Sequence, residues 1–308
     1  RFADHSDRRG GRRIFVANRN RWCCCPSVNP VPALCTPDYG ASPVLKPTHL
    51  LTPAQIAFYH AHGYLSVDAV MPEAEIEEIR RIYDRLFNED RDRTGADSHD
   101  LSGEKRLTGK EAIPQLLQPA KYAPALLATQ LVANLKAMMQ QLHGPDTRMV
   151  GDHAINKPPH NAAATPWHQD EAYWNPAVEY SSLSAWVPLQ PATTVNGCMH
   201  FVPGSHNFDI LPHRPIGNNP LTPGLEVEPG AFDFSKAVAC ELPPGGATFH
   251  NGRTLHYTPP NNSDDFRRAY IAMGSAVERP MATPRRFPWQ ERQRAAKAES
   301  ANQDSRQA

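Results

Sequence analysis

A mainly β fold with flanking helices, a double-stranded β-helix or jelly-roll barrel of cupin-like shape, is what this sequence predicts. Three observations carry the expectation. From Met149 onward the chain breaks into about eight short apolar segments punctuated by Gly, Pro and Asn, the rhythm of antiparallel strands and turns. Ahead of them lie stretches whose apolar residues recur at three- and four-residue steps, which puts them on one face of a helix. Finally, 31 prolines in 308 residues suit short strands and long connections better than a helical bundle.

The elements follow in order. Residues 1–45 carry seven arginines by position 21, several prolines and no periodic apolar pattern, and are expected to be a disordered or artefactual extension. Residues 46–280 are expected to form the barrel domain with its N-terminal helices. Thr52-Pro53-Ala54-Gln55 reads as a capping box with Pro at the first helical position; Leu51 and Ile56 form a staple and Gly63 stops the helix. A second helix follows Pro72, with Ile76, Ile79, Ile82, Tyr83 and Leu86 on one stripe. The polar stretch 88–110 reads as a loop. A third helix is expected over 124–142, burying Leu127, Leu131, Leu135, Met138 and Leu142. Strands are expected at 149–157, 164–170, 183–190, 198–203, 238–242, 246–250, 253–258 and 268–277. Residues 206–236, rich in Pro and Gly-Asn turns, read as a long insertion near the pocket, where specificity could reside. Residues 281–308 read as a polar, solvated C-terminal tail.

Charge and cysteines narrow the function. Lys plus Arg equals Asp plus Glu at 32 each, which gives no basic face for nucleic acid or an anionic membrane. No apolar run approaches the roughly 20 residues of a membrane span. The partner expected is a small-molecule substrate, with no obligate protein partner evident. Cys23, Cys24, Cys25 and Cys35 lack zinc-site spacing, and Cys198 and Cys240 lie in apparent strands as reduced packing residues. A cytoplasmic chain is the expectation.

The chemistry begins at Thr165-Pro166-Trp167-His168-Gln169-Asp170. On a strand, residues two apart face the same way, so His168 and Asp170 converge on one point. An imidazole and a carboxylate are two parts of the 2-His-1-carboxylate set that holds non-haem Fe(II) and leaves coordination positions open. Downstream, His250 and His256 lie on one apparent strand at even spacing, and either could complete the set. No G-x-S-x-G elbow points to a serine hydrolase.

Taken together, these pieces resemble the phytanoyl-CoA dioxygenase family of Fe(II)/2-oxoglutarate oxygenases. The order is Trp167-His168-Gln169-Asp170, then His256 after 86 residues and Arg267 after a further 11. Asn196-Gly197-Cys198-Met199-His200-Phe201-Val202-Pro203-Gly204-Ser205-His206, Phe266-Arg267-Arg268-Ala269-Tyr270 and the opening Leu51-Thr52-Pro53 also fit, so the resemblance runs from about Leu51 to Glu278. It implies that His168, Asp170 and His256 are the catalytic metal ligands, with His250 a neighbour of the site or a core residue. It also implies that Arg267 clamps the distal carboxylate of 2-oxoglutarate with Thr258 as helper, a role suited to a planar two-pronged donor. Lys157 joins them as a candidate for binding the co-substrate or an anionic substrate. Trp167, Tyr173 and Trp174 are candidates for the substrate pocket. The cofactors implied are Fe(II), 2-oxoglutarate and O2, with succinate and CO2 released. A carboxylate at 170, where related halogenases carry a small residue, implies hydroxylation or another oxidation. Two rival readings stand beside this one: a non-redox metal-dependent isomerase or hydrolase on a cupin-like barrel, and a catalytically silent binding or sensor protein on the same fold.

Overall fold

The computed structural model describes residues 45–307, so the expected extension over 1–45, apart from Leu45, lies outside them. Helix α1 (Pro53–His62) precedes β1 (Tyr64–Val67), α2 (Glu73–Asp84), α3 (Arg91–Thr94), β2 (Ser98–Asp100) and α4 (Lys105–Thr108). Next come β3 (Pro114–Leu117), α5 (Pro119–Tyr122), α6 (Gln130–His143), β4 (Arg148–Lys157), β5 (Thr165–His168), β6 (Val178–Pro188) and β7 (Met199–Phe201). The chain closes with β8 (His213–Pro215), β9 (Leu225–Val227), β10 (Val238–Cys240), β11 (Ala247–Asn251), β12 (His256–Thr258), β13 (Arg267–Pro280) and α7 (Pro288–Gln307).

Two antiparallel sheets make the jelly roll. The larger has the order β1-β11-β6-β13-β4-β3-β2, the smaller β10-β7-β12-β5. Alternation divides the residues of each strand between two environments. On β13, Tyr270 and Ala272 turn out to a core shared with Ile76, Ile79 and Tyr83 of α2 and Leu131, Leu135 and Met138 of α6. Ala269 and Ile271 turn in, to meet Met199, Phe201 and Cys240 of the smaller sheet. Helices therefore cover one face of the large sheet and leave the other to line the interior.

Local signals in the N-terminal half act as expected. Thr52 and Gln55 exchange both bonds of the capping box, and Gly63 ends α1 at φ +79°. That glycine is required twice over: a Cβ there would lie 2.4 Å from the His206 ring and 2.8 Å from Thr254 Oγ1. The end of α1 is thereby pressed onto the turn that leads into β12.

Four segments differ from expectation. The helix expected over 124–142 breaks at Thr129, an extended residue whose hydroxyl accepts from Val132 N and donates to Leu126 O, so that α6 starts only at Gln130. Stretch 88–110 is ordered around Asp100, whose carboxylate accepts from Ser102 Oγ, Lys105 N and Ile113 N. The 206–236 insertion contains the β8–β9 hairpin. The polar tail is a docked helix: Phe287 and Trp289 are buried, Trp289 Nε1 and Gln290 Nε2 both donate to Ala172 O, and Gln293 Nε2 donates to Thr222 O. A few contacts at one end of a polar helix suffice for docking, and average composition hides them.

His143, at the end of α6, is lodged between Tyr59 Oη (2.7 Å) and Ser181 Oγ (3.1 Å). Burial, with the His60 charge, lowers its pKa from 6.5 to about 4. The unfolded chain therefore accepts a proton near pH 6.5 that the folded protein refuses until about pH 4. The stability this residue contributes is whole above pH 6.5 and is lost as pH falls toward 4. In denaturant titrations of metal-free protein, His143→Gln should flatten the decline across that window; an unchanged slope would remove His143 from the account.

Candidate metal centre

Strands β5 and β12 pair so that His168 and His256 are direct partners, with ring centroids 4.1 Å apart. β5 ends at His168, and Asp170 opens a 3-10 turn (Asp170–Tyr173) rather than continuing the strand. Gln169 between them stays extended, at φ −119° and ψ 130°, which returns Asp170 to the side His168 occupies. Among the described residues, His168, Asp170 and His256 bring one ligand atom each to within 4.8 Å of the others. Asp170 Oδ1 lies 3.7 Å from His168 Nε2 and 3.4 Å from His256 Nε2.

The histidines are oriented from behind. His168 Nδ1 donates to Pro166 O at 2.7 Å, and His256 Nδ1 to Thr254 O at 2.9 Å. Each bond places the ring proton on Nδ1 and leaves the Nε2 lone pair free, the form a metal needs. Burial, aided by the neighbouring His256, pushes His168 down to about 3, so it is neutral at ordinary pH. Burial would raise the Asp170 carboxyl; the neighbouring His256 and His250 rings outweigh it and hold it well below its usual range. Two neutral nitrogens and one carboxylate oxygen on one point suit a divalent metal of the Fe(II) type, with no fourth protein ligand among the described residues to block it.

His250 is not on the strand of His256. It belongs to β11 of the larger sheet, and the chain turns at Asn251-Gly252 before β12 in the smaller one. A Cβ on Gly252 would lie 2.7 Å from Ser182 Oγ and 3.0 Å from the Trp174 ring, so glycine sets how tightly that turn sits. His250 Nε2 reaches the other Asp170 oxygen, Oδ2, at 3.3 Å, and Ser184 Oγ donates to the same oxygen at 2.7 Å.

Sequence reasoning passed over Ser184, Glu171 and Gln169, since nothing local distinguishes a strand serine or a turn glutamate. Glu171, buried beside Asp170, pairs with Arg253 (2.7 Å) and with Arg285 of the C-terminal segment (2.8 Å). Gln169 donates to Arg253 O and Asp209 O and accepts from Leu211 N, tying the turn to the insertion.

A second charged group lies on β13 and β4, where Arg267 and Lys157 are register partners. Lys157 Nζ donates to Thr258 Oγ1 (2.9 Å) and Pro259 O (3.2 Å), so Lys157, Thr258 and Arg267 do come together. Arg267 is 1% exposed, stands 5.3 Å over Trp186, and its Nε and Nη1 meet no acceptor among the described residues. Burial lowers Arg267 to about 10 and puts Lys157 well below its usual value, with Arg267 adding to the effect on Lys157. Two cations in direct cross-strand register repel, and an anion bound between them reverses that cost. Arg268 faces the other way, with Nε and Nη2 on Asp84 Oδ1 at 3.0 and 2.7 Å.

The three aromatic candidates part company. Trp167 alternates with His168 and so stands on the far side of β5, stacked on Phe234 (4.6 Å) and Tyr257 (5.2 Å), which removes it from the pocket. Tyr173 does border the triad, edge-on to His168 at 5.9 Å, and its hydroxyl accepts from Leu225 N. Trp174 packs edge-on against Tyr180 and covers Gly252. The insertion and the C-terminal segment line an open cleft of about 650 Å³ between Asp209, His213, Glu228, Arg285, Trp289 and Arg292.

Known proteins resemble the chain along most of its length. A family profile described as Phytanoyl-CoA dioxygenase (PhyH) matches residues 59–269. The probable phytanoyl-CoA dioxygenase of Caenorhabditis elegans is 27% identical over 242 residues, 71% of this chain and 74% of that protein. The peroxisomal phytanoyl-CoA dioxygenase of Homo sapiens is 23% identical over 238 residues, 72% of this chain and 67% of that protein. Among solved structures, EvdO2 from Micromonospora carbonacea var. aurantiaca complexed with 2-oxoglutarate is 33% identical, with a TM-score of 0.68 over 80% of this chain and 99% of that one.

Glu171 supplies the charge that two partly exposed arginines share. Glu171→Gln should destabilise the protein by about 3 kcal/mol, the low end for breaking a buried pair because both arginines keep some solvent. Thermal unfolding measures this; a variant as stable as the parent would show that the C-terminal segment is held on the turn after Asp170 by its other bonds, those of Trp289 and Gln290 among them.

Proposed function

The chain belongs to the phytanoyl-CoA dioxygenase family, and on that premise we propose that His168, Asp170 and His256 hold Fe(II) while Arg267, Lys157 and Thr258 receive a carboxylate of 2-oxoglutarate. The protein is a non-haem iron, 2-oxoglutarate-dependent dioxygenase acting on a small molecule. When bound, iron and co-substrate supply the redox chemistry: O2 is consumed, 2-oxoglutarate becomes succinate and CO2, and the substrate is oxidised, with hydroxylation the outcome we assign.

The observation that carries the reading is the pairing of two groups of opposite charge demand within one barrel. His168 and His256 present neutral Nε2 atoms and Asp170 an anionic oxygen, the set a divalent cation requires. The Arg267 guanidinium keeps two donors without acceptors among the described residues, and Lys157 faces it across the strand pair; both call for an anion. Thr258 fixes the Lys157 ammonium so that it stays turned to that place. A non-redox metalloenzyme on the same barrel has no use for such a cation pair. A silent binding protein has no reason to keep all three ligands oriented by bonds from behind.

The substrate reading is narrower than the family name. The cleft between the insertion and the C-terminal segment contains arginines, but each has an acidic neighbour: Arg285 has Glu171, Arg286 has Glu291 and Arg292 has Glu228. A CoA thioester needs spare cations for its phosphates, so a small polar substrate without CoA fits better. No helix of the described residues is long and apolar enough to cross a membrane, and Cys198 and Cys240 are buried free thiols. The free thiols favour a reducing compartment, and we assign the cytoplasm.

Anaerobic titration of the Fe(II)-loaded protein with 2-oxoglutarate tests the assignment through the visible charge-transfer band of the chelate. Arg267→Ala should raise the half-saturating concentration on the order of 100-fold, the cost of removing one buried charged partner. Arg268→Ala, whose side chain is turned to Asp84, should leave it unchanged. Equal effects from the two variants would overturn the clamp, and no band in the parent would overturn the co-substrate.

A further inference from the structure

We propose that Ser184 and His250 form a two-point brace that makes Asp170 a one-oxygen ligand; the inference rests on the metal-centre reading above and adds two positioning residues to it. Ser184 on β6 and His250 on β11 are direct register partners in the larger sheet. Both side chains face the interior, both are 2% exposed, and both reach the same oxygen of Asp170. Oδ2 receives the Ser184 hydroxyl at 2.7 Å and the His250 Nε2–H at 3.3 Å. Oδ1 is the oxygen turned to the Nε2 atoms of His168 and His256. One carboxylate thus has its two oxygens assigned to different tasks before any metal arrives.

The brace has work to do because of where Asp170 sits. β5 has already ended, so strand pairing does not hold this residue. The carboxylate torsion of an aspartate is broad and roughly two-fold, so little in the side chain itself resists rotation. An unbraced carboxylate can turn both oxygens to a metal and take a position that a facial three-ligand set keeps open for co-substrate and O2. The His250 tautomer agrees with its role. Its Nδ1 is buried and meets no partner among the described residues, which leaves the ring proton on Nε2, where it can be donated to Asp170. Groups that orient metal ligands typically alter metal affinity by about 10–100-fold when removed.

Co(II) binding to metal-free protein tests the brace without turnover. Both affinity and the intensity of the visible d–d bands are read, the latter reporting coordination number. The double variant Ser184→Ala/His250→Phe should bind Co(II) about 10–100-fold more weakly and with an altered band intensity. His250→Gln in the Ser184→Ala background returns an N–H donor to the same place and should restore most of both signals. Thermal unfolding of the metal-free variants identifies any that fail to fold; for these, the Ser184→Ala and Ser184→Thr single variants are compared, and only threonine should keep the parent's spectrum. A folded double variant with the parent's affinity and band shape overturns the brace. Asp170→Ala binding Co(II) as tightly as the parent overturns the metal-centre reading itself, so the two failures are distinct.

Discussion

Everything at the centre of this protein depends on satisfying the half-buried carboxylate of Asp170. An anion drawn into a barrel is costly unless it is paired and hydrogen-bonded. Here four strands meet it: Ser184 of β6 and His250 of β11 in the larger sheet donate to one oxygen, and the other is turned to His168 of β5 and His256 of β12 in the smaller, so that a bound cation would complete its pairing. The same carboxylate that the chemistry requires therefore joins the two sheets where they open. Its backbone is secured separately, through Glu171 and the arginines on either side of it. Position and rotation of the ligand are thus controlled by different contacts.

Arg267 and Lys157 pose the opposite electrostatic problem. Their register pairing is unfavourable while both are cations in a buried place, and it becomes favourable on binding an anion. A barrel interior with a cation-seeking end and an anion-seeking pair is matched to a metal and a dicarboxylate bound together. Neither requirement is met by the apolar core of the fold, which lies on the helix side of the large sheet. The helices stabilise the sheet from behind, and the interior face is left to carry polar groups.

Much of this was legible in the sequence because its signals are local. The capping box at Thr52, the isoleucine stripe of α2, the period-two strands and the His168–Asp170 spacing each depend on a few neighbouring residues. That Arg267 and Arg268 face opposite ways follows from strand alternation, and the resemblance implied which of them faces inward. What was not legible has two sources, local signals that conflict and partners distant in the chain. Thr129 interrupts a continuous apolar stripe because its hydroxyl caps the helix that follows. Trp167 was placed in the pocket by its nearness in sequence to His168, although alternation sends it to the other face. Ser184 acquires its role only from the register of β6 against β11, and the C-terminal segment acquires its own from Trp289 and Arg285 meeting the turn after Asp170. The roles of Ser184 and the C-terminal segment have no signature that a single chain read in order could reveal, whereas Thr129 and Trp167 had local ones, a helix cap and strand alternation, that the apolar stripe and the nearby histidine outweighed.

An anaerobic crystal structure with Fe(II) and 2-oxoglutarate tests the central claim most directly. The account predicts iron on His168 Nε2, His256 Nε2 and Asp170 Oδ1 alone, with Asp170 Oδ2 still bonded to Ser184 Oγ and a 2-oxoglutarate carboxylate on Arg267. Iron held by both Asp170 oxygens, or by His250 in place of His256, would contradict it.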